Sequence, residues 1–281
     1  MLRELVSTNI FVFTSDLYAQ VTAGVIITSG GAVVVDTMPF PAEARQIMQF
    51  IDERYGVPVR YVINTHYHAD HTYGTCFFRG ARVVAHRLCR DLLDTRGRAG
   101  LEQAQRSMRD LAAVEVRLPD LVFDEGVMSV HVGGVTLEMW HTPGHSMDSI
   151  ACLVKEEGIL FAADTMMPIP FFADGSWDAY VRTLEKLLEG HYECIVQGHG
   201  EVILRGEIRE RLEEDLGYLH CIRSGVEKLV KAGKGPEALQ RIDIEKCGKS
   251  RIALNGMVEG LHRANLEALY AHLMRERAAS L

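Results

Sequence analysis

Residues 65–71 read THYHADH and bring three histidines and one aspartate into a single short segment. The segment follows the apolar run YVIN, which predicts a buried strand, so the polar side chains begin where that strand ends. Residues two apart in an extended chain point to the same side, so His66 and His68 can direct nitrogens to one point. Asp70 and His71, beyond the turn, can reach a second point nearby. Imidazole and carboxylate groups without a thiolate suit zinc, iron or manganese.

One segment supplies too few groups for a complete metal site, so the fold must bring further ligands to this strand end. Three candidates follow predicted strands, in HTPGHSMDS, LFAADT and VQGHGE, and they are His145, Asp164 and His199. Taken singly, a strand-end aspartate is more often a turn former, and a glycine-flanked histidine is more often structural. Their order after the first segment favours one assembled site over a surface loop of capping histidines.

The rest of the chain predicts two sheet-forming halves followed by helices. Strands are expected at NIFVFTS, QVTAGVIITS, AVVVDT, VRYVINT and RVVAH, around a helix at PAEARQIMQFIDERYG. Residues 86–113 look helical, divided by Gly97 and Gly100. The second half predicts strands at VTLEMWHT, SIACLVKE, GILFAAD and ECIVQGH, with a helix at SWDAYVRTLEKLLEG. We expect an α/β core over residues 1–204 and an amphipathic helical extension of the same domain over residues 205–281.

In this order, the motif residues resemble the metallo-β-lactamase-fold superfamily, whose H-x-H-x-D-H motif is followed by a histidine, an aspartate and a final histidine. The resemblance covers roughly residues 7–204. It implies a four-layer αββα sandwich, with two metal ions in a cleft along one edge of two sheets. It implies one metal held by three histidines, another held by a mixed set, and an aspartate that bridges them. The first set is His66, His68 and His145, the second set is Asp70, His71 and His199, and the bridge is Asp164.

An aspartate at position 164 resembles the glyoxalase II and lactonase branch of this superfamily, whereas the main zinc β-lactamases carry a cysteine ligand for the second metal. Two divalent ions about 3.5 to 4 Å apart can share a water and lower its pKa from about 15.7 towards neutrality. The set therefore predicts hydrolysis of an ester, thioester, lactone or amide by a hydroxide that bridges two metal ions, with zinc expected before iron or manganese. Asp70 is expected to act also as a catalytic proton shuttle.

The alternative function is an iron-dependent oxidoreductase of the persulfide dioxygenase kind, because related proteins hold iron with much the same ligands. The ligand residues do not fix the metal. A non-catalytic scaffold is disfavoured, since such a protein would be expected to lose ligands and this sequence retains all seven.

Several neighbours of the motifs are candidates for supporting roles. Side chains that flank ligands can orient imidazoles, although packing or turn formation is an equally good account of them; they are Thr65, Tyr67, Thr72 and Ser146. The apolar segment TMMPIPFFADG is adjacent to Asp164, and its Phe171 and Phe172 are candidates to wall a substrate cleft or simply to fill the core.

Residues 86–113 are also rich in arginine and are either a lid that meets an acidic substrate or a helix with a solvated face. The arginines concerned are Arg87, Arg90, Arg96 and Arg98. Histidines outside the motifs are expected to have structural or surface roles; they are His86, His131, His141, His191, His220, His262 and His272. Of these, His141 is the nearest in sequence to a ligand.

Net charge and hydrophobicity limit the kinds of partner that the protein is expected to bind. The net charge of −8 disfavours nucleic acid, including a nuclease function, so the expected partner is a small-molecule substrate. The sequence has no membrane-spanning apolar run and no secretory signal, which predicts a cytoplasmic location without a membrane partner.

The six cysteines lack C-x-x-C spacing and are expected to be reduced. The C-terminal helices are expected to complete the pocket or to form a homodimer interface.

Overall fold

Two mixed sheets organise the protein, whose residues 1–279 are described in a computed structural model. The first sheet consists, in spatial order, of β1 (Leu2–Ser7), β2 (Ile10–Thr14), β3 (Thr22–Thr28), β4 (Gly31–Val35), β5 (Val59–Ile63), β6 (Arg82–His86) and β7 (Leu121–Phe123). The second consists, in spatial order, of β13 (Ile203–Leu204), β12 (Cys194–Gln197), β11 (Ile159–Ala163), β10 (Ile150–Val154), β9 (Val135–His141) and β8 (Val127–Val132).

Long helices pack on the outer faces of both sheets, and shorter helices lie in the connections between strands of the first sheet. They are α1 (Pro41–Tyr55), α2 (Ala69–Thr72), α3 (Arg87–Leu92), α4 (Arg98–Ser107), α5 (Trp177–Leu188), α6 (Ile208–Lys231) and α7 (Met257–Ala279). The first of them begins at Pro41, whose fixed φ suits a first helical position, and ends at Gly56, which takes the left-handed conformation with φ of 60°. No helix within residues 1–279 is both long and apolar enough to cross a membrane.

Strand alternation produces the layers. Successive residues of β4 point to opposite faces of the sheet, and both faces are buried. Val34 packs with Ile47 of α1 on the outer face, while Val33 packs with Met139 of the second sheet on the inner face. The second sheet repeats this arrangement, because Leu160 faces the core shared with α5 and α6. The predicted four-layer αββα sandwich with a C-terminal helical extension is therefore confirmed.

The helical insert between β6 and β7 differs in detail from the prediction. It consists of α3, a π-helical turn at Leu93–Gly97, and α4. Gly97 ends the π turn, but its φ of −61° and ψ of −45° are right-handed helical, so the chain continues through it into α4 without a break. Gly100 lies inside α4 with open space around the position of a β-carbon. The expectation that these two glycines divide the helical stretch was therefore wrong. Strands β1, β7, β8 and β13 were also not predicted; β1 is mostly exposed, so its sequence carries a weak apolar signal.

The expectation that every cysteine is reduced was wrong for two of them. Cys221 of α6 forms a disulfide with Cys247, and their Cα atoms lie 5.5 Å apart. Helix packing brings these two positions together across 26 residues, which scattered spacing could not indicate. Disulfides form mainly in oxidising compartments, so this disulfide does not support the predicted cytoplasmic location, which stays a prediction. The remaining cysteines are free thiols, namely Cys76, Cys89, Cys152 and Cys194.

Candidate metal centre

All seven predicted ligands lie at one edge of the two sheets. The first sheet contributes the segment that follows β5 and continues into α2, which carries His66, His68, Asp70 and His71. The second sheet contributes the loops that follow β9, β11 and β12, which carry His145, Asp164 and His199. Strands β11 and β12 run parallel, so their carboxyl ends meet at the same edge and bring Asp164 beside His199.

The first group contains three histidines and the aspartate. The side chains of His66, His68, His145 and Asp164 each offer a ligand atom within 4.8 Å of the others. His68 Nδ1 lies 2.9 Å from His145 Nε2. Asp164 Oδ2 lies 3.2 Å from His145 Nε2 and 3.9 Å from His66 Nε2. These four groups surround one common point.

The second group contains Asp70, His71 and His199, whose ligand atoms also lie within 4.8 Å of one another. Asp164 reaches this group as well, because its Oδ1 lies 3.1 Å from His71 Nε2 and its Oδ2 lies 3.5 Å from His199 Nε2. Ala163, which precedes it, has a left-handed φ of 44°, a conformation that is costly for alanine and is held by the surrounding structure. A single carboxylate thus stands between the two groups.

The chemistry of this cluster fits cations. Among residues 1–279, the buried His66 Nε2 has no hydrogen-bond partner, and the buried Asp164 Oδ1 faces His71 Nε2 at 3.1 Å without the geometry of a hydrogen bond. Leaving such atoms unpaired costs free energy, which a bound cation would offset. The donors are imidazole nitrogens and carboxylate oxygens, the set that zinc and related divalent metals accept in proteins. The cluster is therefore a candidate metal-binding site.

Each histidine of the cluster is held through its other ring nitrogen, as metal-ligating histidines generally are. The contacts are His66 Nδ1 to Thr65 Oγ1 at 3.1 Å, His68 Nε2 to Asp174 Oδ2 at 3.2 Å, His71 Nδ1 to Asp36 Oδ2 at 2.8 Å, His145 Nδ1 to the Phe171 carbonyl at 2.8 Å, and His199 Nδ1 to the Ala19 carbonyl at 2.8 Å. Thr65 was predicted for such a role, and its hydroxyl also donates to Asp36. The other acceptors were not predicted. Of these acceptors, only Asp36 could have been found from the sequence, because it directly follows a strand, as Asp164 does.

Burial and neighbouring charges move the pKa values of the histidines in opposite directions. Burial lowers the pKa of His145 to about 4 and the pKa of His66 well below its usual value. Burial acts in the same direction on His199, but the carboxylates of Asp164 and Asp70 outweigh it and raise its pKa to about 10. In the absence of metal, His199 therefore holds a proton that a bound cation must displace.

The other predicted neighbours divide into those that contact ligands and those that do not. The Tyr67 hydroxyl donates to Asp174, and the Thr72 hydroxyl donates to the backbone carbonyl of His68. Ser146 instead shares a hydrogen bond with Ser149. The ring of Phe171 lies 5.8 Å from that of His145, whereas Phe172 is 4% exposed and packs in the core. Of the two roles predicted for Phe172, the structure therefore supports core packing, and the substrate contact was wrong.

His141 is structural, as expected, because it stacks on His86 with ring centroids 4.2 Å apart and contacts the Met147 carbonyl. The arginines of the insert bind different partners. Arg87 pairs with Asp124, Arg98 pairs with Asp94, Arg90 donates to the Pro119 carbonyl, and Arg96 pairs with Asp174 beside the cluster.

Comparison with known proteins agrees with this fold. The model of the metallo-beta-lactamase superfamily matches residues 18–199, more than half of the chain, and the protein belongs to this superfamily. A metallo-beta-lactamase family protein from Thermus thermophilus has a similar structure, with a TM-score of 0.72 and 20% identity, covering 98% of this chain and 96% of that one. The inverting sec-alkylsulfatase Pisa1 from Pseudomonas sp. gives a TM-score of 0.77 and 18% identity, covering 96% of this chain and 50% of that one.

Three curated relatives carry different names. Lactamase-like protein aptB of Emericella nidulans is 25% identical over 213 residues, which is 74% of this chain and 60% of the relative. The 2,4-dinitroanisole O-demethylase subunit alpha of Nocardioides sp. is 26% identical over 65% of this chain and 53% of its own. The atrochrysone carboxyl ACP thioesterase of Passalora fulva is 25% identical over 64% of this chain and 48% of its own. The match thus spans about half to three fifths of the length of these relatives.

Proposed function

We propose that the protein is a metal-dependent hydrolase of the glyoxalase II and lactonase-like kind, which binds two divalent ions, zinc before iron or manganese. Its substrate is a small molecule with an ester, thioester, lactone or amide bond. The observation that supports this function is the convergence of two ligand groups on Asp164, which contacts histidines of both. When bound, two such ions activate water as a nucleophile and polarise the substrate carbonyl.

The two carboxylates of the cluster have different surroundings, which supports different roles. The side chain of Asp164 is 5% exposed and lies between the two groups, so its role is to hold both ions. The side chain of Asp70 is 19% exposed, and its Oδ2 lies 3.4 Å from His199 Nε2. This exposure and this contact support a role for Asp70 as a metal ligand that also accepts a proton during hydrolysis.

Two of the three relatives support hydrolysis of an acyl compound, whereas the third is an O-demethylase subunit by name. One of them is a thioesterase by name and another is lactamase-like, so thioesters are included among the first compounds to test. The net charge of −8 argues against a nucleic-acid substrate. A homodimer through the C-terminal helices stays a prediction.

The test is metal analysis of protein purified without added metal, combined with a panel of thioesters, lactones, phosphoesters and β-lactams. We expect two equivalents of zinc and hydrolysis of a carbonyl compound. One equivalent of iron with oxygen consumption on a persulfide would replace this function by the oxidoreductase alternative. His145→Ala should lose metal and turnover, while His141→Ala, in the same HTPGH stretch but outside the ligand groups, should retain both.

A further inference from the structure

Two histidines of the first ligand group take their orientation from one short piece of chain, residues 170–175, which we call the 170–175 segment. The Phe171 carbonyl lies 2.8 Å from His145 Nδ1, and Asp174 Oδ2 lies 3.2 Å from His68 Nε2. On the opposite sides of the two rings, His68 Nδ1 and His145 Nε2 face each other at 2.9 Å inside the cluster. Acceptors placed this way fix which ring nitrogen of each histidine carries a proton and which faces a metal.

The C-terminal helix α7 holds one end of the 170–175 segment. Asn265 is fully buried, and its side chain makes a hydrogen bond on each side of Phe171. Its Nδ2 donates to the Pro170 carbonyl at 2.7 Å, and its Oδ1 accepts from the Phe172 amide at 3.0 Å. The Phe171 carbonyl is thus fixed by a residue that lies 120 positions after His145 in the chain.

The helical insert and the ligand-bearing segment hold the other end. Besides His68, the Asp174 carboxylate accepts from the Tyr67 hydroxyl and, at 2.9 Å, from Arg96 Nη1. Arg96 belongs to the π turn of the insert, and Tyr67 lies between two ligands in the sequence. Hydrogen bonds to a carboxylate from a charged donor are stronger than those between neutral groups, so this carboxylate has a defined position.

The 170–175 segment also lies directly against the loop that carries His145. A β-carbon at Gly175 would come within 1.9 Å of the Gly144 carbonyl oxygen, a distance that only glycine permits. The Ser176 amide donates to that same carbonyl at 3.0 Å. A displacement of the segment would therefore move His145 with it.

We propose that Asp174 and Asn265 are positioning residues of the metal centre. Asp174 orients His68 directly, and Asn265 orients His145 through the Phe171 carbonyl. Helix α7 therefore contributes to the geometry of the site as well as packing on the second sheet. This inference rests on the proposed metal centre and needs no particular substrate.

The test measures metal binding in the full-length protein. Zinc affinity is determined by competition with a chelator, and Co²⁺ substitution reports the ligand geometry through its visible absorption spectrum. Asp174→Asn and Asn265→Ala should each weaken zinc binding by about 10- to 100-fold, the usual loss when the partner of a metal-ligating histidine is removed. Both should change the Co²⁺ spectrum. If Asn265→Ala does not fold, Asn265→Ser takes its place.

Two matched controls separate positioning from general loss of stability. Arg98→Ala removes an exposed pair with Asp94 in the same insert as Arg96. Tyr270→Phe removes a hydrogen bond from the same helix as Asn265, because the Tyr270 hydroxyl donates to the Lys234 carbonyl and not to the 170–175 segment. Both controls should keep the wild-type zinc affinity and Co²⁺ spectrum.

Wild-type affinity and an unchanged spectrum in both Asp174→Asn and Asn265→Ala would overturn the inference, and so would equal losses in the controls. A wild-type protein that binds zinc but hydrolyses nothing would count against the proposed function alone. A wild-type protein that binds no metal would overturn both.

Discussion

The ligand cluster and the C-terminal extension arrange their buried charged groups differently. In the cluster, the buried Asp164 carboxylate lies 3.1 to 3.9 Å from the ring nitrogens of four histidines, and His66 Nε2 has no hydrogen-bond partner among residues 1–279. In the extension, the Tyr218 hydroxyl lies 2.9 Å from His262 Nδ1. The other ring nitrogen of this histidine, Nε2, lies 2.9 Å from the Ile242 carbonyl oxygen.

The buried charges of the extension are likewise matched within it. Lys249 Nζ forms an ion pair with Asp215 Oδ1, and both side chains are almost fully buried. The extension thus pairs one buried acid with one buried base, whereas the cluster gathers four imidazoles around one buried carboxylate. A metal centre needs such an arrangement, because several donor atoms must face one point.

The largest expected effect is that of Asp164→Ala, because this change removes a carboxylate that contacts both ligand groups. Metal affinity should fall by more than about 100-fold, beyond the range seen when only a supporting partner is lost. Metal content after dialysis and turnover are the measurements. Asp124→Ala, which removes an exposed pair with Arg87, is the control. Two tightly held metals with full turnover in Asp164→Ala would show that Asp164 is not shared.

Cys221→Ser should affect the extension and spare the cluster. The disulfide between Cys221 and Cys247 restricts the unfolded chain, so its loss should lower the free energy of unfolding by about 3 kcal/mol. Metal stoichiometry should not change. Denaturant titration of the metal-free protein gives the first quantity, and Cys76→Ser, which alters a free thiol, is the reference. Equal losses of stability in the two variants would show that the disulfide does not stabilise the extension.

A pair of glycine substitutions should have opposite signs in the two regions. A β-carbon at Gly198 would lie 1.8 Å from Asp164 Oδ1, so Gly198→Ala should destabilise the protein by about 1 to 3 kcal/mol and weaken metal binding. Gly217 lies inside α6 with no atom within 4 Å of such a β-carbon, so Gly217→Ala should stabilise by about 1 kcal/mol. Thermal unfolding checks both signs. Stabilisation by Gly198→Ala would contradict the close approach.

The smallest expected effect is a pH dependence in the extension. Burial lowers the pKa of His262, so below about pH 6.5 the unfolded chain binds a proton that the folded protein resists. The stability that neutral His262 contributes is therefore present above this pH and is lost as the pH falls. Between pH 7.5 and 5.5, the stability advantage of the wild type over His262→Gln should shrink, because the unfolded chain takes up a proton at this histidine more readily than the folded protein does. Parallel pH curves for the two proteins, measured by denaturant titration, would show that this group plays no part.

The sequence predicted the cluster better than its supports, for a physical reason. Ligands are side chains of particular types at strand ends, and their spacing is visible in the sequence. The acceptors behind them include backbone carbonyls of Ala19 and Phe171, which any residue type can supply. Asp174, in FFADG, is indistinguishable from an ordinary turn aspartate until folding places it beside His68.

The fold shows the same division between local pattern and distant contact. β4 was predicted from AVVVDT because β-branched residues buried on both faces form a continuous apolar run. β1 was missed, since LRELVS carries charged residues on an exposed edge strand. The Cys221–Cys247 disulfide and the contact of Asn265 with residues 170–172 depend on how α6 and α7 dock, which no local pattern encodes.

The pair of hydrogen bonds made by Asn265 has a consequence for how the protein matures during synthesis. A nascent chain that has emerged only as far as residue 204 already contains every histidine and aspartate of the cluster. Its Phe171 carbonyl, however, lacks the amide side chain that fixes the backbone on either side of it. The ribosome must therefore release a further stretch of about sixty residues before Asn265 can fix the backbone carbonyl that lies behind His145.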